Sequence, residues 1–232
     1  MAVELSIDTS TRYAGIGLSR EGEALIELAW RSERNHTVEL APAVSDLLTR
    51  VGAAAKDLTA LFVAQGPGNF SALRVGISYI KGLAMALHLP VVAVGTLEIE
   101  AAPVAGLALP AYALLDAGRG EVVWARFGDG SGSWHQETPE RVSTVEAMSR
   151  EVRQPAVICG EGALQWRDTL AQLAGERARI ATTFLPSRRP SVLARLGYQR
   201  LQAGVRADVA TLQPLYTRGP SITLLKPPQP IG

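Results

Sequence analysis

The chain has 232 residues, 47% hydrophobic and 19% charged, enough for one large domain or two small ones around a sizeable core. Its formal net charge of +1 gives no electrostatic case for strong binding to bare nucleic acid. Cys159 is the single cysteine, which excludes an internal disulfide and a multi-thiolate metal site, and its apolar setting reads as a small buried hydrophobe.

Residues 3–7 form an apolar-rich strand that ends at Asp8. After Thr9, Ser10 and Thr11 come a second strand over 14–18 and a third over 24–30, an antiparallel meander. Asn35 or Thr37 starts a helix to about residue 51, with Val44, Leu47, Leu48 and Val51 at i, i+3, i+4, i+7 spacing. A buried strand over 61–64 runs into Gly66-Pro67-Gly68, which cannot continue a strand or a helix. Asn69 or Ser71 then caps a helix over 71–87, and a strand over 91–94 completes the half.

The helix over 71–87 is apolar nearly all round. Leu73, Ile77, Ile80, Ala84 and Leu87 make one stripe, and Val75, Tyr79, Leu83 and Ala86 make another. One stripe can cover the chain's own sheet; the other needs a cover from this chain or from a partner.

The second half repeats the order, with strands over 111–115, 121–127 and 133–137 and the turn GDGSG between the last two. A helix over 144–152, a strand over 156–159 and a helix to about residue 173 follow, then a last helix over 191–203. In both halves an aspartate (Asp8, Asp116) ends the first strand and a Gly-x-Gly opens the later strand-to-helix turn. These matching features imply a duplicated fold. The organisation expected is an N-terminal lobe over 1–102, a C-terminal lobe over 103–219 and a proline-rich tail over 220–232. The N-terminus has no basic n-region, and the uncharged stretch 101–115 is too short to span a bilayer, so a cytoplasmic protein without a membrane role is expected.

A βββαβαβ unit used twice is the outline of two ribonuclease H-like lobes of the actin-like ATPase type, an α/β fold. The residues carry a closer resemblance. SIDTST, GPGNFSALRVGISYIKGLA, LLDAGRGEVVWARF, ICGEG and PLYTRG together resemble the TsaB (YeaZ) family over about residues 5–219. The sequence departs from the family's usual form at Asn69, Ser71 and Ala72, at Ala117-Gly118 before Arg119, and at Val123.

The resemblance implies a non-catalytic subunit that pairs with its paralogue TsaD and helps recruit TsaE. Together they serve N6-threonylcarbamoylation of adenosine in tRNAs reading ANN codons. It implies pairing through the two N-terminal helices, with Val44, Leu47, Leu48, Val51, Leu73, Ile77, Ile80, Ala84 and Leu87 assigned to that interface. It further implies tRNA contact only through the complex and ATP at most at the complex interface. The second apolar stripe on the helix over 71–87 also leaves open a homodimer of the chain alone.

Two other chemistries compete on the residues. Asp8, Thr9 and Ser10 could hold Mg²⁺-phosphate or simply cap a turn, with Asp116 as a second carboxylate. Gly66, Gly68, Asn69, Ser71 and Arg74 could meet a phosphate, but the loop lacks a Walker lysine. Such residues would make an active ATPase or small-molecule kinase. No catalytic residue and no metal is expected: His36, His88 and His135 share no i, i+4 spacing, and no GxSxG occurs. Arg188, Arg189, Arg195, Arg200 and Arg206 form a basic run that reads as tRNA phosphate contacts or as a solvated helix face.

Overall fold

Strand β1 (Val3–Asp8) is buried at every position, which requires cover on both faces of its sheet. The computed structural model describes residues 2–33, 35–128, 134–181 and 188–216, and within them supplies that cover. β2 (Tyr13–Arg20) and β3 (Glu23–Arg31) add antiparallel strands on one side of β1. β4 (Leu58–Gly66) and β5 (Val91–Gly95) add parallel strands on the other, giving the order β3-β2-β1-β4-β5. Even the buried Glu4 is satisfied, by the Ser19 hydroxyl at 2.6 Å and the Glu21 amide at 2.8 Å.

The alternation along β4 separates two cores. Leu61 and Val63 join Leu5, Ile7, helix α1 (His36–Arg50) and helix α2 (Phe70–Leu87) on one face. Ala60, Phe62 and Ala64 join Val92, Val94, Ile99 of α3 (Thr96–Ala101) and Leu193 of α7 (Pro190–Gln202) on the other. Helix α7 lies across β1, β2, β3, β4 and β5. The C-terminal lobe therefore does not take in everything from 103 to 219: α7 crosses back to cover the first sheet. The reason is the second face, which α1 and α2 leave bare.

The second sheet has the order β10-β9-β6-β7-β8. β6 (Ala111–Gly118) pairs antiparallel with β7 (Glu121–Phe127), as β7 does with β8 (Arg141–Thr144); it pairs parallel with β9 (Ala156–Cys159), which pairs parallel with β10 (Ala178–Ile180). Order and directions match the first sheet strand for strand. The fold is α/β, two mixed five-stranded sheets of the actin-like ATPase type, and duplication of one unit accounts for the match.

Four elements differ from the sequence reading. The third strand of the second half lies at β8, not over 133–137; in that stretch Gln136 makes only an isolated bridge to Phe127, and 129–133, which hold most of the GDGSG turn, are outside the described residues. The helix after β9 is two pieces, α5 (Glu161–Gln165) and α6 (Arg167–Ala174), separated at Trp166. α3 and β10 were not foreseen, because six and three residues are too short for periodicity to show. α4 (Val145–Glu151) completes the lobe, capped by Thr144, whose hydroxyl accepts from the Ala147 amide. The tail over 220–232 lies outside the described residues.

Close packing of α7 depends on Gly197, where a Cβ would stand 2.4 Å from Phe62 Cγ. Phe62 is completely buried and has nowhere to retreat. Gly197→Ala is expected to lower stability by about 1–3 kcal/mol, as overpacking does, measured by urea denaturation.

Candidate functional site

Helix α2 begins where the extended backbone of Asn69 lets its side chain accept from the Ala72 amide at 3.1 Å. It ends at His88, whose left-handed backbone precedes Pro90. Of its two stripes, Leu73, Ile77, Ile80 and Ala84 are buried against the first sheet. Val44, Leu47 and Leu48 of α1 are buried in the same core, while Val51 and Leu87 are half-buried at its edge. Leu73, Ile77, Ile80, Ala84, Val44, Leu47 and Leu48 thus belong to the chain's own core and not to a partner interface, while Val51 and Leu87 keep a partly open edge. Ridge spacing alone cannot say which of two apolar stripes faces the sheet.

The free surface is the outer side of the same pair of helices. On α2 it carries Val75 and Tyr79, half-buried, with Ser78, Gly82, Met85 and Ala86 exposed; on α1 it carries Val38, Ala41 and Pro42. Val38 is 70% exposed and Met85 68%, while most of its neighbours are small. α2 is also the one described helix long and apolar enough to cross a bilayer, but its most apolar side is spent on the sheet.

The second candidate region is the cleft at the carboxyl ends of β1 and β4, where open α/β sheets take ligands. The structure brings Asp8, Thr9, Ser10, Gly68 and Asn69 together there, but uses them on one another. Ser10 N–H donates to Asp8 Oδ1 at 2.8 Å and Asn69 N–H to the Ser10 carbonyl at 2.6 Å. Thr9 Oγ1 donates to the Ala72 carbonyl, and the Ser10 and Thr96 hydroxyls share a bond. A Cβ at Gly68 would stand 2.2 Å from the Ser10 carbonyl oxygen, so the loops touch backbone to backbone. Gly66 is covered by the backbone of Leu215. Ser71 and Arg74 point outward, Arg74 over the Phe70 ring, which also stacks on Tyr216. Asp116 is exposed and accepts only from its own turn, at the Gly118 amide.

Arg188 fills the cleft. Its side chain is 1% exposed, so it is no part of a basic surface run. Arg200 is also engaged inward, on Glu98 and the Ala93 carbonyl. Arg188 Nε donates to Asp8 Oδ2 at 2.5 Å, Nη2 to Thr11 Oγ1 and Asp8 Oδ1, and Nη1 to Glu100 Oε1 and Glu161 Oε2. Burial opposes the charge of Arg188, but Asp8 and Glu100 outweigh it and raise its pKa above the ordinary value. Sequence reasoning missed Glu100 and Glu161, since a lone glutamate on a short helix carries no signal of its partners. Among the described residues no cluster of His, Cys, Asp or Glu is placed to hold a metal ion. Burial also raises the Cys159 thiol, keeping it neutral and unreactive.

A family model described as TsaD, tRNA N6-adenosine threonylcarbamoyltransferase, matches residues 30–208. The tRNA threonylcarbamoyladenosine biosynthesis protein TsaB of Bacillus subtilis is 33% identical over 220 residues, 92% of this chain and 93% of that one. Its Escherichia coli counterpart is 32% identical over 222 residues, 92% and 94% of the two chains. The chain belongs to the TsaB (YeaZ) family. The solved YeaZ of Pseudomonas aeruginosa agrees, with a TM-score of 0.75 at 28% identity over 93% of this chain and all of that one. TsaB proteins take part in tRNA threonylcarbamoyladenosine biosynthesis, which gives the cleft and the helix face a biochemical setting.

Two predictions separate core from surface and charge from proton. Ile77→Asp places a carboxylate in the first core and is expected to cost about 3–5 kcal/mol or prevent folding, read by denaturant titration. Burial raises the Glu100 carboxyl above its ordinary 4.5, with Arg188 opposing. The folded chain then binds that proton more tightly than the unfolded chain. The associated stability is complete below pH 4.5 and is lost as pH rises through the raised value. Glu100→Gln removes this dependence, so its Tm should fall less than the wild type's as pH rises above 4.5.

Proposed function

We propose that this chain is a non-catalytic subunit of the threonylcarbamoylation machinery, which binds TsaD through the outer faces of α1 and α2. The observation that carries the reading is that face itself. Val38 stands mostly in solvent near Ala41 and Pro42 on α1, and Met85 near Gly82 and Ala86 on α2, small-residue apolar stretches on two helices that touch. Small residues let a second helix pair approach closely, and the apolar rims give it area to bury. A chain that shares a family model with TsaD over 30–208 has the matching pair of helices to offer in return. Two related folds can then meet about a pseudo-two-fold axis, helix pair on helix pair. The same geometry allows a homodimer when TsaD is absent.

The absence of chemistry in the subunit follows from its cleft. Asp8 has both oxygens engaged, the Asn69 amide donates to the Ser10 carbonyl, and Gly66 and Gly68 lie against the backbone of Leu215 and Ser10. ATP would then act in the complex outside this subunit's own cleft, with the assembled pair recruiting TsaE and tRNA reaching this chain only through the complex.

Val38→Asp with Met85→Asp places two charges on the outer face without touching the core. The double variant should keep the wild-type Tm and lose the heterodimer boundary in sedimentation velocity with its cognate TsaD, a loss of at least about a hundredfold in affinity for two desolvated charges. Wild-type affinity in that variant would refute the assignment. Steady-state ATP hydrolysis by the chain alone, abolished by Asp8→Asn, would refute the non-catalytic reading independently.

A further inference from the structure

The cleft contains three carboxylates from three segments: Asp8 at the end of β1, Glu100 on α3, and Glu161 opening α5 of the second lobe. Left alone in a buried space they would repel one another and drive the lobes apart. One guanidinium stands among them. An arginine has five N–H donors in a rigid fork, and here each has an acceptor: two on Asp8 and one each on Glu100, Glu161 and Thr11. The Glu161 amide also donates to Glu100 Oε1 at 3.2 Å, so the second lobe is tied to the same centre by backbone as well. Arg12, 3.8 Å from Glu161 and 57% exposed, adds a screened outer charge.

We propose that Arg188 is a resident counter-ion that seals this cleft, deciding that the joint between the lobes is held shut by the chain itself rather than by a metal–phosphate ligand. The proposal rests on the non-catalytic reading and explains it at the level of one residue. Asp8 occupies the place where a strand-end carboxylate in this architecture can meet a ligand's cation, and Arg188 meets it first. Arg188 immediately precedes α7, which is packed across the first sheet, so its backbone is anchored on that lobe. From there its Nη1 reaches Glu161 on the other lobe. Helix α3 between the lobes is the hinge, with Ile99 in the first core and Leu97 and Ala101 in the second. Apolar packing fixes the hinge; the ion cage fixes the angle about it.

The test is the distance between lobes, measured by double electron–electron resonance with spin labels at Lys56→Cys and Ala147→Cys, two exposed positions on different lobes. Cys159 is buried and does not take label. The otherwise wild-type chain should give one narrow distance that saturating Mg²⁺–ATP does not move; a shift with nucleotide overturns the proposal. The Glu100→Gln, Glu161→Gln variant keeps the balanced Arg188–Asp8 pair and cuts the ionic tie across the cleft. It should give a broader distribution shifted to longer distance, and an unchanged distribution in this variant overturns the proposal. Arg188→Ala, where it folds, should lengthen the distance further; a folded Arg188→Ala chain with the wild-type distance refutes the role. Should Arg188→Ala fail to fold, the double variant alone decides. Neither variant touches the outer face of α1 and α2, so sedimentation with TsaD reports on the scaffold reading separately.

Discussion

A buried guanidinium must find an acceptor for every N–H, and that requirement places three stretches of chain in this protein. Asp8 and Thr11 come from the first strand and its turn, Glu100 from α3, Glu161 from α5. None of these segments is near another in sequence. Removing Asp8 would take the closest counter-charge from a buried guanidinium, which costs several kcal/mol, whereas the complete cage contributes less than its list of contacts suggests because all its members were desolvated to form it. The arrangement therefore favours one geometry of the two lobes more than it adds to stability.

Around that centre the chain is brought close by glycine. Gly68 lies against the Ser10 carbonyl, and Gly76 gives room to the Thr9 side chain, whose hydroxyl bonds to the Ala72 carbonyl one turn back along α2. The loop after β1 is thereby pinned between the start of α2 and α3. The Thr9 and Ser10 hydroxyls and the Ser10 and Asn69 amides are already engaged. A loop that reads in sequence as a phosphate cradle and a loop that reads as a tight joint differ only in what stands opposite. Here the opposing groups belong to the protein.

The sequence made the strands and long helices legible because each has a period: β1, β7 and β9 as apolar runs, α1 and α2 as stripes, and the duplicated order as matching landmarks at Asp8 and Asp116. It made Asn69 legible as a cap because only a short polar side chain before a helix can serve that end. Three things stayed hidden for physical reasons. The polarity of α2 was ambiguous because both of its stripes are apolar, and only the sheet decides between Ile77 and Tyr79. The return of α7 to the first lobe is a long-range choice with no local mark. The role of Arg188 depends on acceptors 27 to 180 residues away, and in sequence it stands beside Arg189, which is exposed and pairs with Glu27.

The two halves share one strand order and differ in their helices. In the first lobe α1 and α2 have 15 and 18 residues and keep a face free; in the second α4, α5 and α6 have 7, 5 and 8. A helix of two turns can cover its own sheet but has little left to offer a neighbour, since packing between helices needs ridges several turns long. The break at Trp166 uses the second lobe's helical residues on its own core, with Ala163, Leu170 and Ala174 all buried there. The asymmetry confines extended helix-to-helix pairing to the first lobe. On the proposed reading, a subunit that presents a rigid helix face would gain from lobes whose angle is fixed, because each population of open states would reduce the fraction of molecules ready to pair.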